Sequence, residues 1–119
     1  MLGQHFGRAF HIPGAPMADL DIRISVPVDC RLARVSVVGS NANDGTIDIG
    51  TSDDTDEILA GAAFGDSDVP AAYDRDDFES TNPTGRLEKG DVLVITVDLD
   101  GGGATGVQDL TIDLDFIEG

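Results

Sequence analysis

The chain has no tryptophan, one tyrosine, one lysine and one cysteine among 119 residues. A single cysteine, Cys30, excludes an internal disulfide, so covalent stapling adds nothing to the fold. Cys30 follows a strand-like run ending at Val28 and reads as a half-buried filler rather than a nucleophile. Aromatic residues make up 5% of the chain, so the core has to be built from Val, Ile, Leu and Ala. A glycosidase site usually sets aromatic sugar platforms beside its paired carboxylates; with so few aromatics, glycoside hydrolysis is disfavoured. No stretch approaches the roughly 20 apolar residues of a membrane-spanning helix, and no membrane partner is expected. Residues 1–16 lack the apolar run of a secretory signal, which predicts a chain made and kept in the cytoplasm unless it leaves within a larger particle.

Positive charge is also scarce, and unevenly so. Residues 44–119 carry 20 acidic side chains against Arg75, Arg86 and Lys89, whereas residues 1–43 carry Arg8, Arg23, Arg31 and Arg34 against Asp19, Asp21 and Asp29. The net charge of −16 therefore belongs to the second stretch. Phosphate would be repelled there, so no nucleic-acid partner is expected. At roughly 15 Å between net charges, self-repulsion is screened at physiological salt, where the Debye length is about 8 Å, and is strong at about 0.01 M.

What the chain does have is alternation. Leu20, Ile22, Ile24, Val26 and Val28 face one way, with Asp21, Arg23, Ser25 and Pro27 opposite, a half-buried strand. Pro27 marks an edge or a strand end. Residues 31–39 give a second strand, with Ala33, Val35 and Val37 inward. Asp44 and Gly45 signal a hairpin turn before a short strand bearing Ile47 and Ile49. Residues 52–63, with acids ahead of Ile58, Leu59 and Ala62, predict one or two helical turns. A short extended piece near 71–78 would be anchored by Tyr73 and Phe78. Leu93, Ile95, Val97 and Leu99, then Leu110, Ile112, Leu114 and Phe116, mark two strands that read as one hairpin across a glycine-rich loop at 101–106. Residues 1–18, broken by Gly3, Gly7, Pro13, Gly14 and Pro16, predict an irregular arm ahead of a β-domain over 19–119, with a first strand of the sandwich as the alternative. The expected fold is all-β: an antiparallel sandwich, jelly-roll-like, with at most one short helix.

Motifs with chemistry are thin. Asp53, Asp54, Thr55 and Asp56, and again Asp74, Asp76 and Asp77, offer oxygen to a hard cation, but EF-hand spacing is missing and they read as solvated loops. His5 and His11 stand six apart with no ligand-type cysteine beside them, which disfavours zinc. No metal, other cofactor or catalytic group is expected, and the chain does not read as an enzyme. Asp109, Thr111, Asp113 and Asp115 form an acidic ladder whose ordinary use is to discourage edge-to-edge pairing. The arm carries Phe6, Arg8, Phe10 and His11, apolar and basic side chains too numerous for a free segment. They are candidate docking residues.

The layout of an N-terminal arm, strands at 20–28 and 31–39, the run 87–97, a glycine-rich loop and the strand at 110–116 resembles small β-sandwich or jelly-roll head decoration (cement) proteins of tailed phages. The resemblance covers residues 18–117. It implies no catalysis, and it implies oligomers, often trimers, on the capsid exterior that clamp neighbouring major capsid proteins. The partners implied are the major capsid protein and further copies of the chain. A carbohydrate- or calcium-binding β-sandwich module and a tail- or fibre-associated virion domain are the alternatives.

Overall fold

Alternating apolar residues give each strand one face to bury, and two such sheets satisfy each other when stacked. A computed structural model describes residues 4–14, 19–41, 44–65, 68–99 and 107–119. Nine strands run in chain order: β1 (His5–Ile12), β2 (Leu20–Ser25), β3 (Cys30–Val38), β4 (Gly45–Thr51), β5 (Leu59–Phe64), β6 (Ala71–Asp74), β7 (Arg86–Leu87), β8 (Val92–Asp98) and β9 (Leu110–Glu118), with a 3-10 turn at Arg75–Asp77. The first sheet has the order β1-β9-β3-β6, with β7 also pairing β3, and the second has the order β2-β8-β4-β5. All strand pairs are antiparallel. Apart from the two-residue β7, this is the eight-strand, two-sheet order of a jelly roll.

The core is aliphatic, as the composition requires. Leu32, Val35, Val37, Ile112 and Leu110 from the first sheet meet Ile47, Ile49, Leu93, Ile95 and Val97 from the second. Phe64 and Phe116 are its buried aromatics. Cys30 is fully buried among them, the filler role expected, and burial is the main cause that pushes its thiol pKa up.

Five expectations are corrected. Asp44 and Gly45 make no hairpin turn, because β3 and β4 on either side of them lie in different sheets. The irregular arm is, over residues 5–12, the edge strand β1, paired in register with β9 from His5 opposite Ile117 to Ile12 opposite Leu110. The helical turns expected over 52–63 are a loop followed by β5. Gly61, in the left-handed region at φ 58°, sits in a bulge there, and its N–H donates to the Asp48 carboxylate at 2.5 Å. That extra residue breaks the alternation of β5 and removes its strand signature. In β3 a second irregularity between Leu32 and Arg34 makes Leu32 the buried residue and leaves Ala33 half-exposed. Finally, β8 and β9 form no hairpin: β8 pairs β2 and β4, while β9 pairs β1 and β3. Their apolar faces meet across the core instead of lying side by side. The loop at 101–106 lies outside the described residues.

Other expectations hold. β2 is an edge strand and ends at Ser25, two residues before Pro27. The extended piece near Tyr73 is β6, and the Tyr73 hydroxyl donates to the Ala63 carbonyl of β5.

Candidate functional site

The structure divides the four candidate docking residues between two faces of β1. Even-numbered positions point toward the space between the sheets and odd-numbered ones away from it. Phe6 stacks on Phe116, with ring centroids 5.0 Å apart and planes 14° from parallel. Phe6, Phe10 and Ile12 are half-buried against the core. Arg8 shares their side of the strand, is exposed, and holds its guanidinium carbon 5.9 Å from the centre of the Phe10 ring. His11 points the other way, its Nδ1 2.8 Å from Thr111 Oγ1. Phe6 and Arg8 line one cleft, with Phe10 beneath the arginine, and His11 belongs to the opposite surface.

That opposite surface is the outer face of the first sheet, and strand register lays it out in rows. His5, Ile117, Arg31 and Arg86 form one row; Gly7, Asp115, Arg34 and Asp74 the next; Ala9, Asp113, Ser36 and Ala72 a third. Three arginines thus share the face with three aspartates. His5 Nδ1 lies 3.3 Å from an Asp115 carboxylate oxygen. The acidic ladder of β9 therefore stands in mid-sheet rather than on an edge, with Asp115 opposite Arg34 and Asp113 between Ala9 and Ser36. Its first member, Asp109, accepts from Ser40 Oγ and from the Gly14 N–H, each at 2.7 Å. The Ser40 bond first, then the Gly14 bond, hold its carboxyl pKa below the usual value.

The second sheet presents a different surface. Asp21, Asp48 and Asp98 point outward with Arg23, whose Nε is 3.1 Å from Asp21. The loop after β4 folds back over this face. It is tied down by Ser52 N–H to the Val92 carbonyl at 3.1 Å and by Thr51 Oγ1 to Glu57 at 2.5 Å. The loop adds Asp53, Asp54, Asp56 and Glu57 to the same side. Asp56 has its pKa raised, chiefly by its hydrogen bond with the Asp54 side chain and by that group's charge. The charge asymmetry read along the chain is in space an asymmetry between sheets, balanced on one and acidic on the other.

Two hollows stand out among the described residues. A broad one of about 580 Å³, open to solvent, is lined by Asp44, Thr46, Phe64, Val69 and Asp98, with Val69 59% exposed. A smaller one of about 60 Å³ lies between β1 and β2, bounded by Phe6, Arg8, Ile24, Cys30, Leu93 and Phe116. The smaller is the better candidate site, because it is apolar and lies beside a cation. Among the described residues no three His, Cys, Asp or Glu side chains gather as metal ligands would. The cleft and the row order of the first sheet are not readable from sequence. The even spacing of Phe6, Arg8, Phe10 and Ile12 is the signal that marks β1.

Comparison with known proteins gives a likeness of fold. A solved chain of the cyanophage Pam1 capsid asymmetric unit is similar to this one, with a TM-score of 0.53 and 12% sequence identity, over 99% of this chain and 87% of that chain. No protein-family model and no curated protein matches the sequence. The likeness is one of fold: that chain shares the two-sheet sandwich described above.

Proposed function

We propose that this protein is a virion structural protein that decorates and stabilises a tailed-phage capsid by binding the major capsid protein lattice. The observation that carries the reading is the likeness, over nearly the whole chain, to a chain of a phage capsid asymmetric unit. The coverage makes the two chains close in length, and a single sandwich of this size suits an accessory subunit on a shell. Surface charge supports an orientation. The balanced outer face of the first sheet and the neighbouring β1 edge face the capsid. The second sheet, with its acidic loop, faces solvent and keeps decorated particles apart by like-charge repulsion. Phe6, Arg8, Phe10 and His11 all lie on the docking side, Phe6, Arg8 and Phe10 at the cleft and His11 on the sheet face. Assembly as trimers would place three such edges around one axis. The protein would be made in the host cytoplasm and carried on the capsid exterior.

The test is addition of purified protein to undecorated particles, followed by sedimentation and electron cryo-microscopy. Density at regular lattice positions on the outer surface, and raised thermal stability of the particles, are the expected outcome. Protein that stays in the supernatant, or density at the tail alone, sinks the proposal.

A further inference from the structure

The two sides of the sandwich are finished differently. On one side the edge strands are β5 and β6, and the Tyr73 hydroxyl crosses from β6 to the Ala63 carbonyl of β5. On the other side the edges are β1 and β2, each paired among the described residues with one neighbour, β9 and β8. Phe6, Phe10 and Ile12 of β1 and Leu20, Ile22 and Ile24 of β2 pack on the core with one flank and remain half-exposed on the other. Between the two edges opens the cavity of about 60 Å³, with Cys30, Leu93 and Phe116 beneath it. Its walls are almost wholly apolar, so water gains little there. It has room for the branched end of one aliphatic side chain.

Arg8 occupies an inward-side position between Phe6 and Phe10, at the mouth of this cavity. In a chain with 23 acidic residues, no described carboxylate pairs with it. Its guanidinium rests over the Phe10 ring, held in place by an aromatic face. An arginine so held presents a rigid fork of donors that matches a carboxylate in two-point geometry. Among the described residues no strand pairs with the adjoining edge of β1, and such an edge is the template on which an extended segment adds as a further strand.

We propose that the β1–β2 cleft receives an extended segment of the capsid subunit, in which a branched aliphatic side chain stands beside a carboxylate. The aliphatic group enters the cavity, the carboxylate pairs with Arg8, and the segment's backbone pairs with the open edge of β1. This rests on the decoration reading above. A second copy of the chain fits less well, because the same edge of that copy brings another arginine rather than an acid.

The test compares wild type, R8Q, R8K, I24F and, as a control on the far sheet, D53N, by thermal melting and by co-sedimentation with undecorated particles. Arg8 is exposed, so R8Q is expected to melt as wild type does and to bind at least about tenfold more weakly; R8K should fall between them. I24F, which fills the cavity, should also weaken binding, and D53N should not. Equal binding by wild type and R8Q overturns the cleft proposal and leaves decoration standing. Failure of the wild type to sediment with particles overturns decoration. The cleft is then judged with a synthetic probe, an acetylated heptapeptide of alternating threonine and isoleucine with a central aspartate, against the same peptide with a central lysine. Tighter binding of the aspartate peptide by at least about fivefold, with amide shifts on β1 and β2 and loss of the preference in R8Q, supports the proposal. No preference overturns it.

Discussion

Replacing Gly50 by alanine tests how the acidic loop is held over the second sheet. Gly50 lies on the outward side of β4 with Val94 of β8 as its cross-strand partner, and Val94 is fully buried although it faces away from the core. The loop after β4 is what covers it. A Cβ on Gly50 would stand 2.5 Å from the Thr55 carbonyl carbon and 2.8 Å from the Asp56 nitrogen, and closer still to the Asp54 carbonyl oxygen. These are backbone atoms, fixed by the Thr51–Asp54 hydrogen bonds at 3.0 and 3.2 Å and by Ile58 N–H to the Ile49 carbonyl at 3.0 Å, so the loop must lift as a unit. Forcing in an extra methyl costs about 1–3 kcal/mol. Uncovering Val94 costs up to about 1.5–3 kcal/mol more. Against this, alanine restricts the unfolded chain and returns about 0.4–1 kcal/mol. The net expectation is a loss of about 3 kcal/mol, or roughly 12 °C in Tm for a domain of this length. Gly7→Ala is the matched control: on β1 the new Cβ would meet only the Leu114 carbonyl oxygen at 3.3 Å. An edge strand can yield a few tenths of an ångström, and the change should be close to neutral. Urea denaturation and calorimetry of both variants decide the matter. Equal Tm values for the two would refute the claim that the loop is clamped on the sheet.

Deleting residues 1–12 removes a strand rather than an arm. The loss of the packing of Phe6, Phe10 and Ile12 alone, at about half of 1.5–3 kcal/mol each, is a large share of a typical 5–15 kcal/mol. The truncated chain should melt far below the intact one or fail to fold, and a truncation that melts like the intact chain would refute this. For Asp109, the folded pKa lies below the unfolded one, so its contribution to stability is present above the unfolded value and is lost as pH falls through the folded value. Ser40→Ala should therefore lower stability at pH 7 and cost less as pH falls through the folded pKa, and an NMR titration should show the Asp109 carboxyl moving up toward its ordinary pKa. Salt should raise Tm between about 0.01 and 0.5 M and then have little effect, because the Debye length falls well below the spacing between charges. A flat response in a scanning calorimeter would mean that the acids are compensated by bound cations.

Strand class is legible because period-two alternation reports a buried face whatever the neighbours are. Leu20, Ile22 and Ile24 of β2, Ile95 and Val97 of β8, and Ile112 and Leu114 of β9 all take the sides that alternation assigns to them. Pairing is not legible. The same alternation serves a strand that pairs with its neighbour in sequence and one that packs across the core, and in a jelly roll most successive strands cross between sheets. For that reason β8 and β9 look like a hairpin until their partners are known. β1 is concealed by Gly7 and by an arginine at a position where an apolar residue is due, and β5 by the bulge at Gly61. In each case the local signal breaks at a residue with a particular role, a backbone bend at Gly61 and an unpaired cation at Arg8.

The charge pattern is legible along the chain and changes its meaning in three dimensions. Sequence order separates a near-neutral first third from an acidic remainder, which makes a docking arm and a solvated body the natural reading. The fold interleaves the two: β9, from the acidic remainder, runs between β1 and β3, and its Asp115 has His5 on one side and Arg34 on the other in strand register. The ladder that looks like protection against aggregation thereby stands inside the sheet, with its Asp115 beside Arg34 of a strand from the first third. Further acid collects on the second sheet, where Asp21, Asp48, Asp98 and the loop over Gly50 face away from all three of those strands. A protein seated on a shell needs one face that tolerates close approach and one that resists it. This chain obtains both from a single sandwich by putting most of its scarce arginines on one sheet and its edge.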